Sequence, residues 1–284
     1  MNRRNMMLMS GMGMLAAAMP VPQARAYPLR PDAPADRVPL PTAPQPSGQA
    51  PTYLFHDEFD GPAGSAPDPS KWTIARAREL IKNPVFWDRP ENMGHYRDDR
   101  KNVFLDGKSN LVIRATNENG KYFSGKVQGT WWGGIGTTWE SRVKFNCLTA
   151  GCWPAVWTMN NDPVVGAEVD MIEWYGNNDW PSGTTVHARL DGTSFATQPW
   201  PVDSAWHTWR MTWTDAGISF WQDYVDGAQP YFEVPANSID DWPYNFPDYK
   251  MFPVFNLAVG GSGGRDPRPG TYPADMLVDW IRVW

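Results

Sequence analysis

Glu168, Asp170 and Glu173 place three carboxylates in six residues, with Val169, Met171 and Ile172 between them. Carboxylates at this density suit two kinds of chemistry. Two of them across a glycosidic bond can hydrolyse it, one ionised to attack the anomeric carbon and one protonated to supply the leaving oxygen. Like charges held close push their pKa values apart, so identical side chains take unequal roles. A third acid can then hold the nucleophile by a hydrogen bond. The rival use is a hard-cation site, because calcium also collects carboxylate oxygens. An exposed acidic face is the bland alternative. The interleaved Val, Met and Ile oppose it, since one face of such a strand must be buried.

The spacing constrains the element. On a helix Glu168 and Asp170 would point about 200° apart. On a strand they share a face and Glu173 falls on the other. One extra residue after Asp170, a β-bulge, returns Glu173 to their side, and bulges re-aim side chains beside active sites. The expectation is a bulged strand, with Met171 and Ile172 at the bulge, that turns all three acids to one cleft.

The rest of the chain must build that strand's surroundings. It has 284 residues, a formal net charge of -6 and a pI near 5.2, which argues against a nucleic-acid partner. Tryptophan is the outlier, with 17 residues, more than a core needs. The surplus suits platforms on which the apolar C–H faces of sugars stack. Short alternating segments dominate. Asn110–Thr116, Trp139–Phe145, Thr184–Arg189 and Met276–Trp284 read as strands, and Trp209, Met211 and Trp213 share one strand face. Asp106-Gly107 and Asp226-Gly227 are hairpin signals. Helix is expected only as one or two turns, at Arg76–Ile81 and Ile239–Trp242. This is an all-β chain, a sandwich or barrel.

The N-terminus reads differently. Arg3-Arg4, an apolar run from Met6 to Met19 and Ala24-Arg25-Ala26 make residues 1–26 an export signal of twin-arginine type, which implies a secreted or cell-envelope protein. No apolar run approaches the roughly 20 residues of a membrane span. Residues 27–50 hold seven prolines and read as a disordered linker, leaving 51–284 as the folded domain. An oxidising compartment allows a disulfide between Cys147 and Cys152. A bridge is the expectation, with two buried free thiols as the alternative.

Several motifs in order along the chain resemble glycoside hydrolase family 16, in its laminarinase-like endo-1,3-β-glucanase branch. The signature E-x-D-x-x-E is Glu168, Asp170 and Glu173. Phe55–Gly61, Asn102 through Asp106-Gly107 to Asn110-Leu111, Gly151–Trp157 (G-x-W-P-A-x-W), Asn256–Gly261 and Val278–Val283 resemble further blocks of the family. The resemblance implies a β-jelly-roll sandwich of two curved antiparallel sheets with a concave substrate cleft. It implies a retaining mechanism with Glu168 as nucleophile, Asp170 as its helper and Glu173 as general acid and then base. It places Trp153 and Trp157 beside the scissile bond. It also implies a structural calcium on backbone oxygens near Glu58 and Gly107 and on the carboxylate of Asp279, remote from chemistry and not a catalytic cofactor. His187, on the strand after the acids, is expected near Glu173. Asn102, Arg114, Trp131, Trp132, Trp174 and Asn256 are further cleft candidates, and of the adjacent Trp131 and Trp132 only one can face the cleft. The block G-R-[IVF]-E-A-R of many members reads Gly136-Thr137-Thr138-Trp139-Glu140-Ser141-Arg142 here, without its first arginine.

The expected function is a secreted, monomeric, retaining endo-β-glycanase acting on a β-1,3-glucan, with the polysaccharide as its partner. A β-galactan or a mixed-linkage glucan is the alternative substrate. A non-catalytic carbohydrate-binding protein and a calcium-binding module are the alternatives of other classes.

Overall fold

The computed structural model describes residues 52–75, 93–160, 167–188, 194–197 and 202–284. The expected export signal, linker and Arg76–Ile81 turn lie outside the described residues. The strands among the described residues are β1 (Phe55–Asp57), β2 (Trp72–Ile74), β3 (Gly94–Tyr96), β4 (Val103–Leu105), β5 (Leu111–Glu118), β6 (Lys121–Ser124), β7 (Lys126–Gly129), β8 (Gly133–Gly134), β9 (Thr137–Asn146), β10 (Cys152–Met159), β11 (Glu168–Glu173), β12 (Gly183–His187), β13 (Ser194–Thr197), β14 (Trp206–Thr214), β15 (Gly217–Gln222), β16 (Phe232–Pro235), β17 (Lys250–Val259) and β18 (Ala274–Val283).

They form two stacked sheets, the jelly-roll sandwich expected. One runs β16-β15-β14-β9-β18-β5-β6-β3, with β1 on β18 and β4 on β5. The other runs β13-β12-β11-β10-β17-β7-β2, with β8 on β17. Pairing is antiparallel except between β3 and β6. The Asp106-Gly107 hairpin joins β4 to β5, and Gly107 is there for conformational reasons. Its φ is 77°, and a Cβ would lie 2.9 Å from the Cβ of Ala63. Residues 239–242 are not helical. Single 3₁₀ turns flank them, at Ala236–Ser238 and Pro243–Asn245, the second opened by its proline.

The core lies between the sheets because each strand alternates. Trp209, Met211 and Trp213 face inward on β14, as their spacing predicts, and meet Val169 and Ile172 of β11 and Phe255 and Leu257 of β17 in one buried cluster. Truncating a ring such as Trp213 would cost about 3–5 kcal/mol. A smaller cluster of Ala155, Trp157, Phe252 and Val254 sits apart from that core. Its members are cross-strand neighbours on β10 and β17, on the opposite face of the eight-stranded sheet.

The expected disulfide is corrected: Cys147 and Cys152 are free, buried thiols. Cys152 Sγ donates to the Tyr272 hydroxyl at 4.0 Å, and burial pushes its thiol up to about 12. Cys147 is raised well above its usual range, again chiefly by burial. Burial thus disfavours the thiolate that disulfide exchange requires at both positions.

Candidate active site

The acid strand is bulged as its sequence demands. Against β12, Glu168 pairs with His187, Asp170 with Thr185 and Glu173 with Gly183, so two residues of β11 oppose Thr184 alone. Against β10, Ile172 pairs with Val156 and Asp170 with Trp157, so Met171 is the residue without a partner. Its carbonyl accepts the Thr184 hydroxyl at 2.8 Å. Val169, Met171 and Ile172 all join the core, and the three acids are left on the outer face. Burial of three apolar side chains, each worth about 1.5–3 kcal/mol, fixes the register that turns the acids outward.

Crowding and burial raise all three acids. Glu168 is pushed up to about 8, by burial first and then by Asp170 and Glu173, with His187 and Lys126 opposing. Asp170 is held well above the carboxylate range by burial and by Glu173. Burial raises Glu173 as well, against the hydrogen bonds of Tyr175 and Trp153 and the charge of His187. All three are thus biased toward their protonated forms relative to free carboxylates, the direction a general acid needs. Glu168 keeps 27% of its side chain exposed and Asp170 only 3%, so Glu168 is the more open of these two to an incoming atom.

The neighbours come from adjoining strands. His187 stands opposite Glu168, and its Nε2 is 3.0 Å from Asp170 Oδ2 and 3.9 Å from Glu168 Oε1. Its immediate partner is therefore Asp170 and not Glu173, because the bulge moves Glu173 on to face Gly183. His187 Nδ1 lies 2.9 Å from Ser194 Oγ on β13, which fixes the ring. Trp153 on β10 donates its indole N–H to Glu173 Oε1 at 2.8 Å. Trp157 donates to Asn256 Oδ1 at 2.6 Å, and Asn256 Nδ2 donates to the Tyr96 hydroxyl at 3.3 Å. Trp157 is 4% exposed, with Lys126 Nζ 4.9 Å from its ring centroid. It forms the floor of this face and is no open platform. Trp132 is exposed, with its ring edge on Phe252 of the same floor.

Four expected cleft residues lie elsewhere. Trp131 stacks on Phe55 at 5.5 Å and packs against the core, which leaves Trp132 as the cleft member of that pair. Trp174 follows Glu173 directly, so strand alternation sends it to the core. Asn102 is buried and donates to the Arg114 carbonyl and the Thr116 hydroxyl of β5. Arg114 forms a two-point ion pair with Asp275 at 2.7 and 2.8 Å. Both belong to the sheet opposite the acids.

Sequence reading missed Tyr175 and Lys126. The Tyr175 hydroxyl donates to Glu173 Oε2 at 2.6 Å, and its ring lies between Trp153 and Trp180, with centroids 5.9 and 5.3 Å away. The signal was the two-residue period, which puts residue 175 on the side of residue 173. Lys126 is buried, and burial lowers it to about 7, against the pull of Glu168. A single lysine in a β pattern carries no such signal.

Among the described residues, Glu168, Asp170 and His187 are the one group of metal-ligand side chains within reach of a common ion. The site expected for calcium is on the other sheet. There the Glu58 side chain binds Arg282 and Asp279 Oδ2 takes Arg142. Backbone carbonyls at Glu58 and Gly107 and the Asp279 carboxylate are oxygen donors of the kind calcium takes.

Residues 92–282 match the profile "Glycosyl hydrolases family 16". Glucan endo-1,3-beta-glucosidase A1 of Niallia circulans is 28% identical over 86% of this chain, which spans 39% of that protein's length. A putative beta-glucanase of Mycobacterium abscessus is 67% identical, with a TM-score of 0.77 over 82% of this chain and 100% of that one. An immunostimulatory antigen and pseudo beta-1,3-glucanase of Mycobacterium tuberculosis is 62% identical, with a TM-score of 0.75 over 82% of this chain and 98% of that one. With the acid signature on its bulged strand inside the matched region, the chain belongs to glycosyl hydrolases family 16.

Proposed function

We propose that the chain is an exported, monomeric endo-β-1,3-glucanase that cleaves internal linkages with retention. The observation that carries this reading is the bulge at Met171, which sets Glu168 and Glu173 on one face with Asp170 between them. Glu168 attacks the anomeric carbon and Asp170 keeps its carboxylate in place. Glu173 gives its proton to the departing glycosidic oxygen, then takes one from the water that releases the glycosyl-enzyme. Trp153 is only partly buried and offers an indole face to the sugar beside Glu173. The name of the Niallia circulans relative supports the β-1,3 linkage. A β-galactan or a mixed-linkage glucan remains the alternative, because the G-R-[IVF]-E-A-R block of many family members lacks its first arginine here. A calcium ion on Glu58, Gly107 and Asp279 would tie β1, the β4–β5 hairpin and β18 together, and it supplies no catalytic step.

A second reading is a glucan-binding protein with little hydrolysis. It is favoured by one observation: both oxygens of Glu173 already hold donors. The M. tuberculosis relative, a pseudo beta-1,3-glucanase by name, supports the same view. Purified protein incubated with laminarin, mixed-linkage glucan and β-galactan separates the readings. Proton NMR of the first product should show the β-anomer from laminarin. Laminarin binding with no new reducing ends would leave the binding reading.

A further inference from the structure

We infer that Tyr175 is a positioning residue that controls proton delivery by Glu173 and so holds back hydrolysis of unactivated glucan. The inference rests on the hydrolase reading and concerns the same site. Its basis is the pair of hydrogen bonds on one carboxyl group. Trp153 Nε1–H donates to Oε1 at 2.8 Å, and the Tyr175 hydroxyl donates to Oε2 at 2.6 Å. An indole N–H can only donate, so it favours a bare Oε1, and a proton on Glu173 resides best on Oε2. That is the oxygen Tyr175 holds. To carry the proton there, Glu173 must turn the Tyr175 hydroxyl from donor to acceptor. The proton then points at the phenol and away from the glycosidic oxygen. Both donors also favour the ionised carboxylate, which has no proton to give.

The clamp is built and not incidental. The Tyr175 ring is fixed between Trp153 and Trp180, the latter edge-on at 5.3 Å and 83°. Gly176 N donates to the Cys152 carbonyl at 2.8 Å, which holds the backbone just beyond it. The hydroxyl therefore reaches Glu173 from a rigid wall, and its bond is broken only at a cost to every proton transfer.

Two substrates isolate the effect. Laminarin leaves as an alkoxide and needs the proton of Glu173. A 2,4-dinitrophenyl β-laminaribioside leaves as a stable phenolate and does not. Tyr175→Phe removes one oxygen and keeps the ring contacts. The ratio of kcat/KM on laminarin to that on the aryl glycoside should rise about tenfold. The alkaline limb of the laminarin profile should move up by about one pH unit, the size expected for one lost charge-assisted hydrogen bond. Aryl-glycoside cleavage with an unchanged or lower ratio overturns the role of Tyr175 and leaves the hydrolase intact. Cleavage of neither substrate by either protein overturns the hydrolase reading and this inference together.

Discussion

His187 Nε2 lies 3.0 Å from Asp170 Oδ2 and is held from behind by Ser194, 2.9 Å from Nδ1. The imidazole thus faces the most buried acid of the cluster, and its charge lowers both Glu168 and Glu173. Replacing it has a signed consequence. In His187→Gln both acids keep their protons to higher pH, so the nucleophile ionises later and the acid persists longer. The whole bell-shaped kcat/KM profile should slide up by about one pH unit, with about a tenfold loss on its acidic side. A profile that scales down without moving would leave His187 a purely structural role.

Thr184 tests the bulge itself. Its hydroxyl serves the unpartnered Met171 carbonyl at 2.8 Å and lies 2.6 Å from the Tyr231 hydroxyl. Thr184→Val keeps the shape and strands these groups in the core, at about 1–3 kcal/mol. Thermal unfolding should fall by several degrees, and laminarin turnover should fall further than stability alone accounts for. Full activity at the lowered Tm would separate the bulge from the alignment of the acids.

The raised acids also predict how stability depends on pH. The folded state holds Glu168 up to about 8, whereas an unfolded glutamate titrates near 4.3. Between those values the native state binds more protons than the unfolded one, so stability falls as pH rises through the window. Glu168→Gln removes that penalty. Its Tm relative to the parent should climb by about 3 °C or more between pH 4.5 and pH 8. A pH-independent difference would mean that Glu168 titrates alike in both states.

Calcium at Glu58, Gly107 and Asp279 would stabilise without taking part in chemistry. Chelation should lower Tm by a few degrees, calcium should restore it, and activity at 25 °C should persist in the folded fraction. Loss of activity at unchanged Tm would point instead to an ion at Glu168, Asp170 and His187.

Where side-chain period and burial agreed, the sequence was readable. Met171 lies at the bulge because the acids and their apolar neighbours cannot all face correctly without an inserted residue. Trp209, Met211 and Trp213 behaved the same way. Trp174 and Trp131 misled because indoles suit sugars and cores equally, and the choice was made by strand alternation and by Phe55, a partner distant in sequence. His187 missed Glu173 because the bulge shifts pairing by one residue past Asp170. Asn102 and Arg114 were expected in the cleft, and only the strand order shows that they lie on the other sheet. Lys126 beneath Trp157 depends on β7 meeting β17, a pairing with no local trace.

In the proposed function Glu168 and Glu173 divide the two roles of a retaining hydrolase. Glu168→Gln and Glu173→Gln should each abolish laminarin hydrolysis and keep laminarin binding. The most direct test is covalent capture with a 2-deoxy-2-fluoro β-laminaribiosyl fluoride, followed by peptide mass mapping. One adduct is expected, on Glu168, formed by the parent protein and absent from Glu168→Gln. An adduct on Glu173 or Asp170, or turnover that inverts the anomeric centre, would contradict that division of roles.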